Sequence, residues 1–318
     1  MTISKFDPQN PFDCFIVQSE AMKSAVENAK RFAMFDAPLL IQGETGSGKD
    51  LLAKACHYQS LRRDKKFIAV NCAGLPDEDA ESEMFGRKVG DSETTGFFEY
   101  ANKGTVLLDG IAELSLSLQA KLLRFLTDGS FRRVGEEKEH YANVRVICTS
   151  QVPLHLLVEQ GKVRADLFHR LNVLTINVPA LRDRMADIEP LAQGFLQEIS
   201  EELKIAKPTF DKDFLLYLQK YDWKGNVREL YNTLYRACSL VQDNHLTIES
   251  LNLALPQSAV ISLDEFENKT LDEIIGFYEA QVLKLFYAEY PSTRKLAQRL
   301  GVSHTAIANK LKQYGIGK

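Results

Sequence analysis

"PLLIQGETGSGKD", residues 38–50, is the stretch from which the fold is read. An apolar run ends at a glycine-spaced loop, and a helical pattern begins directly behind it. The loop has the form G-x-x-x-x-G-K in the strand–loop–helix setting that gives this spacing its meaning. Gly43, Gly46 and Gly48 let the backbone turn its N–H groups inward between Glu44, Thr45 and Ser47. The helix N-terminus behind them adds its positive end. Lys49 stands where an ammonium reaches β- and γ-phosphates. The next position is Asp50, so the Ser/Thr hydroxyl that usually meets magnesium is missing. A second apolar run, in "GTVLLDGIAEL" (Gly104–Leu114), delivers Asp109, the acid expected on the metal side of a nucleotide site. ATP and Mg2+ are therefore the expected cofactors, with Asp109 toward the metal. A glycine-rich turn without a ligand is the competing reading of the loop.

Outward from this loop, short apolar runs alternate with helical patterns as far as Val178. "PLLIQ", "FIAVN", "TVLLD", "VRVICTS" and "LTINV" read as strands, and "AMKSAVENAKRFA" and "LSLQAKLLRFL" as amphipathic helices. That alternation predicts an α/β unit, a mainly parallel sheet with helices on both faces. The expected division is a tail over 1–10, the α/β unit over 11–178, an all-helical lid over 179–255, a linker over 256–270 and a helical terminus over 271–318.

The chain has 318 residues, 45% hydrophobic and 26% charged, ordinary for a globular protein. Its net charge of −4 announces no nucleic acid, but the distribution does. From Pro291 onward there are six basic side chains and no acid, which leaves −10 on the rest. A solvated basic tail would not carry the apolar pattern found there. The five cysteines are scattered without metal spacing, which fits structural thiols in a reducing cytoplasm. No apolar signal region or membrane-spanning run is present, so no membrane partner is expected.

The basic terminus has helix–turn–helix grammar. Ser292 caps a first helix with Leu296, Ala297 and Leu300 inward. Gly301 makes the turn, with Val302 expected buried beside it. Ser303 caps a second helix with Ile307 and Leu311 inward. His304, Thr305, Ala308 and Asn309 are then directed outward, where such a helix enters the major groove of double-stranded DNA. Asn pairs with adenine, and Ala and Thr methyls touch thymine. Arg294, Lys295, Lys310 and Lys312 suit phosphates, which position without specifying. Upstream, Leu271, Ile274, Ile275, Tyr278, Val282 and Leu285 form one apolar stripe. A two-fold homodimer would cover it and implies palindromic operators. Packing of the stripe onto the α/β body is the alternative.

"VNCAGLP", "EMFG", "GFFEYANKGTVLLD", "LQAKLLRFL", "RADLFHRLNV", "LRDR" and "YDWKGNVREL" follow one another in the chain. In that order they resemble the motifs of bacterial enhancer-binding proteins, in their sigma-54-interaction AAA+ domain. The resemblance implies an AAA+ core with a helical lid, ATP between protomers of a ring, and a Fis-like all-α DNA-binding domain. It implies that Arg164 and Arg170 are arginine fingers reaching a neighbour's γ-phosphate, and that Arg228 is the lid's sensor arginine. Three departures stand out. Gly110 replaces the family's catalytic Glu, Gln151 replaces a sensor Asn, and "GRKVGDSETTGFFE" is short and lacks "GAFTGA", the tip that grips the sigma factor. Glu113 is close in sequence but is expected to point along the following helix. Losing a positioned general base costs about 10²–10⁴-fold in rate. A degenerate ATPase with weak or absent hydrolysis is expected, and an acid restored at position 110 is expected to revive it if the rest of the site is competent.

Within the family the layout is similar to tyrosine-responsive repressors of aromatic amino acid synthesis and transport genes. That similarity implies tyrosine as co-effector, with phenylalanine or tryptophan as alternatives. It also implies a larger ring, a hexamer, in the presence of tyrosine and ATP, and contact with RNA polymerase. Only about ten residues precede the core, so the N-terminal sensory region common in the family is expected to be lacking. The rival reading, a ring ATPase activating sigma-54 RNA polymerase, needs both the lost acid and the lost tip.

Overall fold

The computed structural model describes residues 6–75, 79–241, 243–251 and 270–316. The chain divides into two compact units, Met1–Ala254 and Leu255–Lys318. The linker expected over 256–270 lies outside the described residues except for its last position.

In the first unit Ser19 opens α1 (Glu20–Ala33), its hydroxyl accepting from the Met22 N–H. β1 (Leu39–Gln42) passes through the glycine loop into α2 (Lys49–Gln59), and β2 (Phe67–Asn71) follows. α3 (Ala80–Phe85), a hairpin of β3 (Arg87–Val89) and β4 (Ser92–Thr94), and the short α4 (Phe97–Tyr100) precede β5 (Thr105–Asp109). Then come α5 (Leu116–Asp128), a second hairpin of β6 (Ser130–Arg132) and β7 (Glu139–Tyr141), and β8 (Arg145–Ser150). α6 (Leu154–Glu159), α7 (Ala165–Leu171) and β9 (Leu174–Asn177) complete the α/β part. The main sheet runs β2-β5-β8-β1-β9, all parallel, and its members are the five runs read as strands.

Successive side chains of each strand serve opposite faces. Leu39, Ile41, Leu107, Ile147 and Ile176 pack with α1 and α2. Leu40, Val106, Leu108, Val146 and Cys148 pack with α3, α5 and α7 on the other side. Each fully buried Leu or Ile contributes about 1.5–3 kcal/mol. Burial on both faces explains why these strands are continuous apolar runs rather than alternating ones. Parallel pairing also delivers the C-terminal ends of β1, β5 and β8 to one edge, which is where ligand loops collect in such sheets.

The lid contains α8 (Ile188–Leu203), β10 (Thr209–Phe210), α9 (Lys212–Lys220), α10 (Asn226–Leu240), β11 (His245–Leu246) and α11 (Ile248–Leu251). The expectation of an all-helical lid is corrected here. β10 and β11 pair in parallel, Thr209 beside His245 and Phe210 beside Leu246. Two residues per strand are too few to leave a periodicity in the sequence. The lid core gathers Phe195, Phe214, Trp223 and Leu230. The Trp223 indole is satisfied by donating to the Leu218 carbonyl at 2.6 Å.

The described residues of the second unit form three helices, α12 (Leu271–Glu289), α13 (Thr293–Leu300) and α14 (His304–Gln313). Leu283, Leu296, Ala297, Ile307 and Leu311 form its core. No helix among the described residues is long and apolar enough to cross a membrane.

Candidate functional site

The glycine loop, Asp109 and Gln151 line one cleft of about 790 Å³, together with Lys49, Asp50 and Arg228. Gly43, Gly46 and Gly48 have φ of 155°, 74° and 106°, a region closed to most side chains. A Cβ on Gly43 would sit 2.6 Å from the Val178 carbonyl, and one on Gly46 2.2 Å from that of Gly225. Above Gly48 there is open space within the same turn, the room a phosphate chain needs. Ser47 is 2% exposed, and its hydroxyl has no partner among the described residues. An orphaned hydroxyl beside an open glycine turn fits a phosphate oxygen. The cleft is also lined by the apolar and aromatic side chains of Phe15, Met22, Leu191 and Phe195, which suits a purine ring.

Lys49 is buried and donates to the Glu44 carbonyl at 2.9 Å. Burial lowers its pKa, while Asp50 and Asp109 oppose that shift. Desolvation by the cleft walls, and then the charge of Asp109, push the Asp50 carboxyl above its ordinary value. The Thr149 hydroxyl donates to Asp109 Oδ1 and accepts from the Gly110 N–H at 3.0 Å, which fixes the end of β5. Asp50 and Asp109 are hard oxygen donors of the kind Mg2+ takes.

Position 110 explains itself in the backbone. Gly110 has φ 78° and ψ 55° and opens a 3₁₀ turn over Ile111–Glu113. Three residues per turn bring residue i+3 back over residue i. Glu113, expected to point along the following helix, instead lies back over Gly110. Its Cγ lies 3.5 Å from where a Cβ on Gly110 would be, and its N–H donates to the Gly110 carbonyl at 2.9 Å.

The lid grips the loop through three successive carbonyls. Asn226 Nδ2 donates to Thr45 O at 3.0 Å, Val227 N to Gly46 O at 3.1 Å, and Arg184 Nη2 to Ser47 O at 2.8 Å. Arg182 makes a two-pronged pair with the Glu44 carboxylate, and Asn226 Nδ2 adds a third bond to it. The Arg182 bonds above all hold the Glu44 pKa down at about 2. Asp187, fully buried, accepts from the Gln18 and Ser19 N–H groups and ties the lid to the start of α1. The sequence reading assigned no role to Arg182, Arg184, Asp187 or Asn226. Two lie in the quoted "LRDR" and one in "GNVREL", but nothing in their spacing says what they hold.

Arg228 lines the cleft from α10, and Gln151 from the end of β8. Arg164 and Arg170 lie at the start and near the end of α7, both exposed, away from the cleft of their own chain. Arg164 pairs with Asp166 at 2.8 Å, and Arg170 donates to Leu126 O at 2.7 Å. The segment in place of the sigma-gripping tip is the β3–β4 hairpin, and it is tied down. Lys88 N donates to Val134 O at 2.8 Å, and Val134 N to Gly86 O at 2.9 Å. Arg133, with a side chain 6% accessible, pairs with both Glu93 and Glu99.

In the second unit Ser303 caps α14 by accepting from the Ala306 N–H at 3.2 Å, and Gly301 has φ 68°. His304, Thr305 and Asn309 are exposed and Ala308 half-buried, while Arg294, Lys295 and Lys312 are exposed. His304 Nε2 and Thr293 Oγ1 are 2.8 Å apart, joining the two helices. Lys310 does not stand free for phosphate. It pairs with Glu279 of α12, which also accepts from the Tyr314 hydroxyl at 2.7 Å. Val302, expected buried, is 47% exposed. The left-handed Gly301 turns the Val302 N–H back to Ala297 O at 3.1 Å and its side chain outward. Of the apolar stripe, Leu271, Ile275 and Val282 are 71%, 54% and 48% exposed and Tyr278 is half-buried. The side chains of Ile274 and Leu285 lie outside the described residues.

Comparison with known proteins agrees with both units. The Sigma-54 interaction domain family matches residues 15–177, the AAA+ ATPase lid domain residues 182–265, and a helix-turn-helix domain residues 268–317. The chain is 99% identical, over the full length of both, to the HTH-type transcriptional regulatory protein TyrR of Haemophilus influenzae. It is 50% identical to the TyrR of Enterobacter agglomerans, with 98% of this chain aligned to 60% of that one. Among solved structures, NtrX from Brucella abortus in complex with ATP is similar at TM-score 0.71 and 32% identity, over 95% of this chain and 69% of that one. Resemblance of that extent, on a glycine-loop cleft and a helix–turn–helix, means that the chain belongs to the sigma-54-interaction family, in its TyrR group of DNA-binding transcriptional regulators.

Proposed function

We propose that this regulator binds ATP with Mg2+ in the cleft and uses the nucleotide as a signal rather than as fuel. The observation that carries this reading is the lid's direct grip on three consecutive loop carbonyls, because a phosphate chain in the loop then acts on the lid as well. The ATP complex of the similar NtrX supports it. In this reading the loop Gly43–Asp50 and Lys49 hold phosphates, Asp109 faces the metal, and Gln151 and Arg228 sense the nucleotide. Arg164 and Arg170 reach a neighbouring protomer's ATP. Gly110 leaves hydrolysis slow or absent.

The co-effector is tyrosine, which drives assembly of dimers into a larger ring. The outcome is mainly repression of aromatic amino acid genes in the cytoplasm, at palindromic operators read by His304, Thr305, Ala308 and Asn309. The 99% identity to a TyrR supports the tyrosine response, and the exposed stripe on α12 supports the dimer. The working division is 11–178 for the core, 179–255 for the lid and 271–318 for the DNA-binding domain.

The alternative, activation of sigma-54 RNA polymerase by a turning ATPase ring, is opposed by the β3–β4 hairpin, which is short, is tied at Gly86, Lys88 and Glu93, and lacks the gripping motif. The deciding experiment is titration of ATP and of each aromatic amino acid, singly and together, with operator binding as readout. Tightening that requires tyrosine and ATP together is expected. Binding indifferent to both ligands would end the proposal.

A further inference from the structure

Lys310 belongs to the basic terminus by sequence but is engaged inside the helical unit. Its ammonium pairs with one oxygen of the Glu279 carboxylate, and the other oxygen accepts from the Tyr314 hydroxyl at 2.7 Å. Lys310 lies in the last turn of α14 and Tyr314 caps it, while Glu279 is in the middle of α12. Four residues apart, Lys310 and Tyr314 share one face of the helix, so a single carboxylate holds both. Gly276, three residues before Glu279 on α12, leaves a seat for the tyrosine, since a Cβ there would already touch the Tyr314 hydroxyl at 3.5 Å. At the other end Ser303 caps α14, and His304 Nε2 meets Thr293 Oγ1 at 2.8 Å. Asn309, next to Lys310, is exposed. Its direction about the helix axis is thus set one residue from the Glu279 clamp.

The clamp is a poor source of stability, because the Lys310 and Glu279 side chains are 41% and 33% accessible and such pairs contribute little. Toward DNA its charge is unfavourable. Glu279 neutralises one cation of the basic terminus and withholds it from phosphate, and each phosphate neutralised adds affinity on every sequence alike. What the clamp supplies is direction, since a bidentate amide–adenine contact requires the Asn309 side chain to meet the base edge in register. We infer that Glu279 is a positioning residue that determines specificity. It fixes α14 through Lys310 and Tyr314 and gives up one phosphate contact, which lowers affinity for all DNA and raises the contrast between operator and random sequence. This deepens the reading of α14 as the helix in the major groove and rests on it.

The test uses the full chain, a duplex that it selects from a random pool, and an unselected duplex of equal length, each titrated across a range of salt. Glu279→Ala is expected to bind the unselected duplex more tightly, with a salt slope steeper by about 0.9, as Lys310 is released to a phosphate. Its discrimination between the selected duplex and single-base variants is expected to fall about fivefold or more, the low end for one bidentate contact. Tyr314→Phe, which keeps the ion pair, is expected to lose part of the discrimination at an unchanged slope. Lys310→Met is expected to leave the slope unchanged in wild type and to lower it by about 0.9 in the Glu279→Ala background. Circular dichroism melting reports whether Glu279→Ala is folded, and if it is not, Tyr314→Phe and Lys310→Met decide. A slope lowered by Lys310→Met in wild type would overturn the inference, as would full discrimination in a folded Glu279→Ala or in Tyr314→Phe. Alanine at His304, Thr305 and Asn309 separates this from the underlying reading. Discrimination intact in all three defeats α14 as the reading helix, whereas its loss there beside full discrimination in Glu279→Ala defeats only the clamp.

Discussion

Gly110 is the residue at which the missing acid and the backbone meet. Its left-handed φ of 78° is open to glycine and costs a larger side chain about 1–2 kcal/mol. Replacing it by Glu therefore does more than add a carboxylate, and the new side chain meets the Glu113 stem. Gly110→Glu, which the sequence alone suggested would revive hydrolysis, is on this backbone expected to lower the melting temperature and, alone, to leave ATP turnover near the wild-type level. A melting scan and a phosphate-release assay check both, and turnover at the rate of an ordinary AAA+ ATPase would show that the backbone does not matter. Glu44 carries a pH signature of its own. Its pKa is depressed in the fold to about 2 from an ordinary 4.5. The stability it contributes is thus present above about 4.5 and lost as pH falls toward 2. The melting-temperature gap between wild type and Glu44→Gln should stay constant from neutral pH to about 4.5 and shrink below it. Because the pair with Arg182 is partly solvent-exposed, the gap should be modest and reduced by salt.

Among elements, the coupling that matters runs from the glycine loop to the start of α10. Asn226 is fully buried, holds φ 54°, accepts from Leu181 N at 2.7 Å and donates to the loop. Asn226→Ala removes these bonds together with the one to the Glu44 carboxylate and orphans the Leu181 N–H, a loss of about 1–3 kcal/mol. Urea unfolding should register that loss, and amide exchange should rise in residues 44–48 more than in the sheet. Unchanged exchange in the loop would mean that the lid does not restrain it. In the second unit, α14 is set by Ser303 at one end and by Glu279 through Lys310 and Tyr314 at the other. Asn309 is exposed on that helix. Asn309→Ala is expected to cost about 1–3 kcal/mol at a single base step, whereas Lys312→Ala weakens binding on all sequences and lowers the salt slope by about one. Competition with single-base operator variants distinguishes the two, and equal losses on every sequence for Asn309→Ala would count against base reading.

For the whole molecule the expectation is assembly. Arg164 and Arg170 are exposed at α7, and their side chains bond Asp166 and the Leu126 carbonyl, so a neighbour's phosphate would have to displace only these among the described residues. A ligand that binds the assembled state better shifts the population toward it. Several helix–turn–helix pairs brought together strengthen binding at adjacent operators through effective concentration. Sedimentation should show dimers that become a larger species only with tyrosine and ATP together, and Arg164→Ala with Arg170→Ala should abolish the shift. A doubly substituted protein that still assembles would place the interface elsewhere.

Much of this architecture is legible in the chain because it is written in short-range spacing. Apolar runs closed by turns define the five strands of the parallel sheet. A lysine one residue past the last glycine marks the loop, and the cap-and-glycine pattern over 292–303 marks the DNA-binding helices. Those signals span a few residues and depend on backbone geometry alone. The β10–β11 pair, the exposed Val302 and the capture of Lys310 by Glu279 were not legible. Neither was the return of Glu113 over Gly110. Each depends on where another segment lies or on the sign of one dihedral angle. The lid's grip is the clearest case. Arg182 meets Glu44 across 138 residues and Asn226 meets Thr45 across 181. An arginine or asparagine has the same composition and periodicity whether it faces water or a loop carbonyl. Only the packed fold, by bringing segments far apart in the chain within hydrogen-bonding distance, assigns these side chains to the loop.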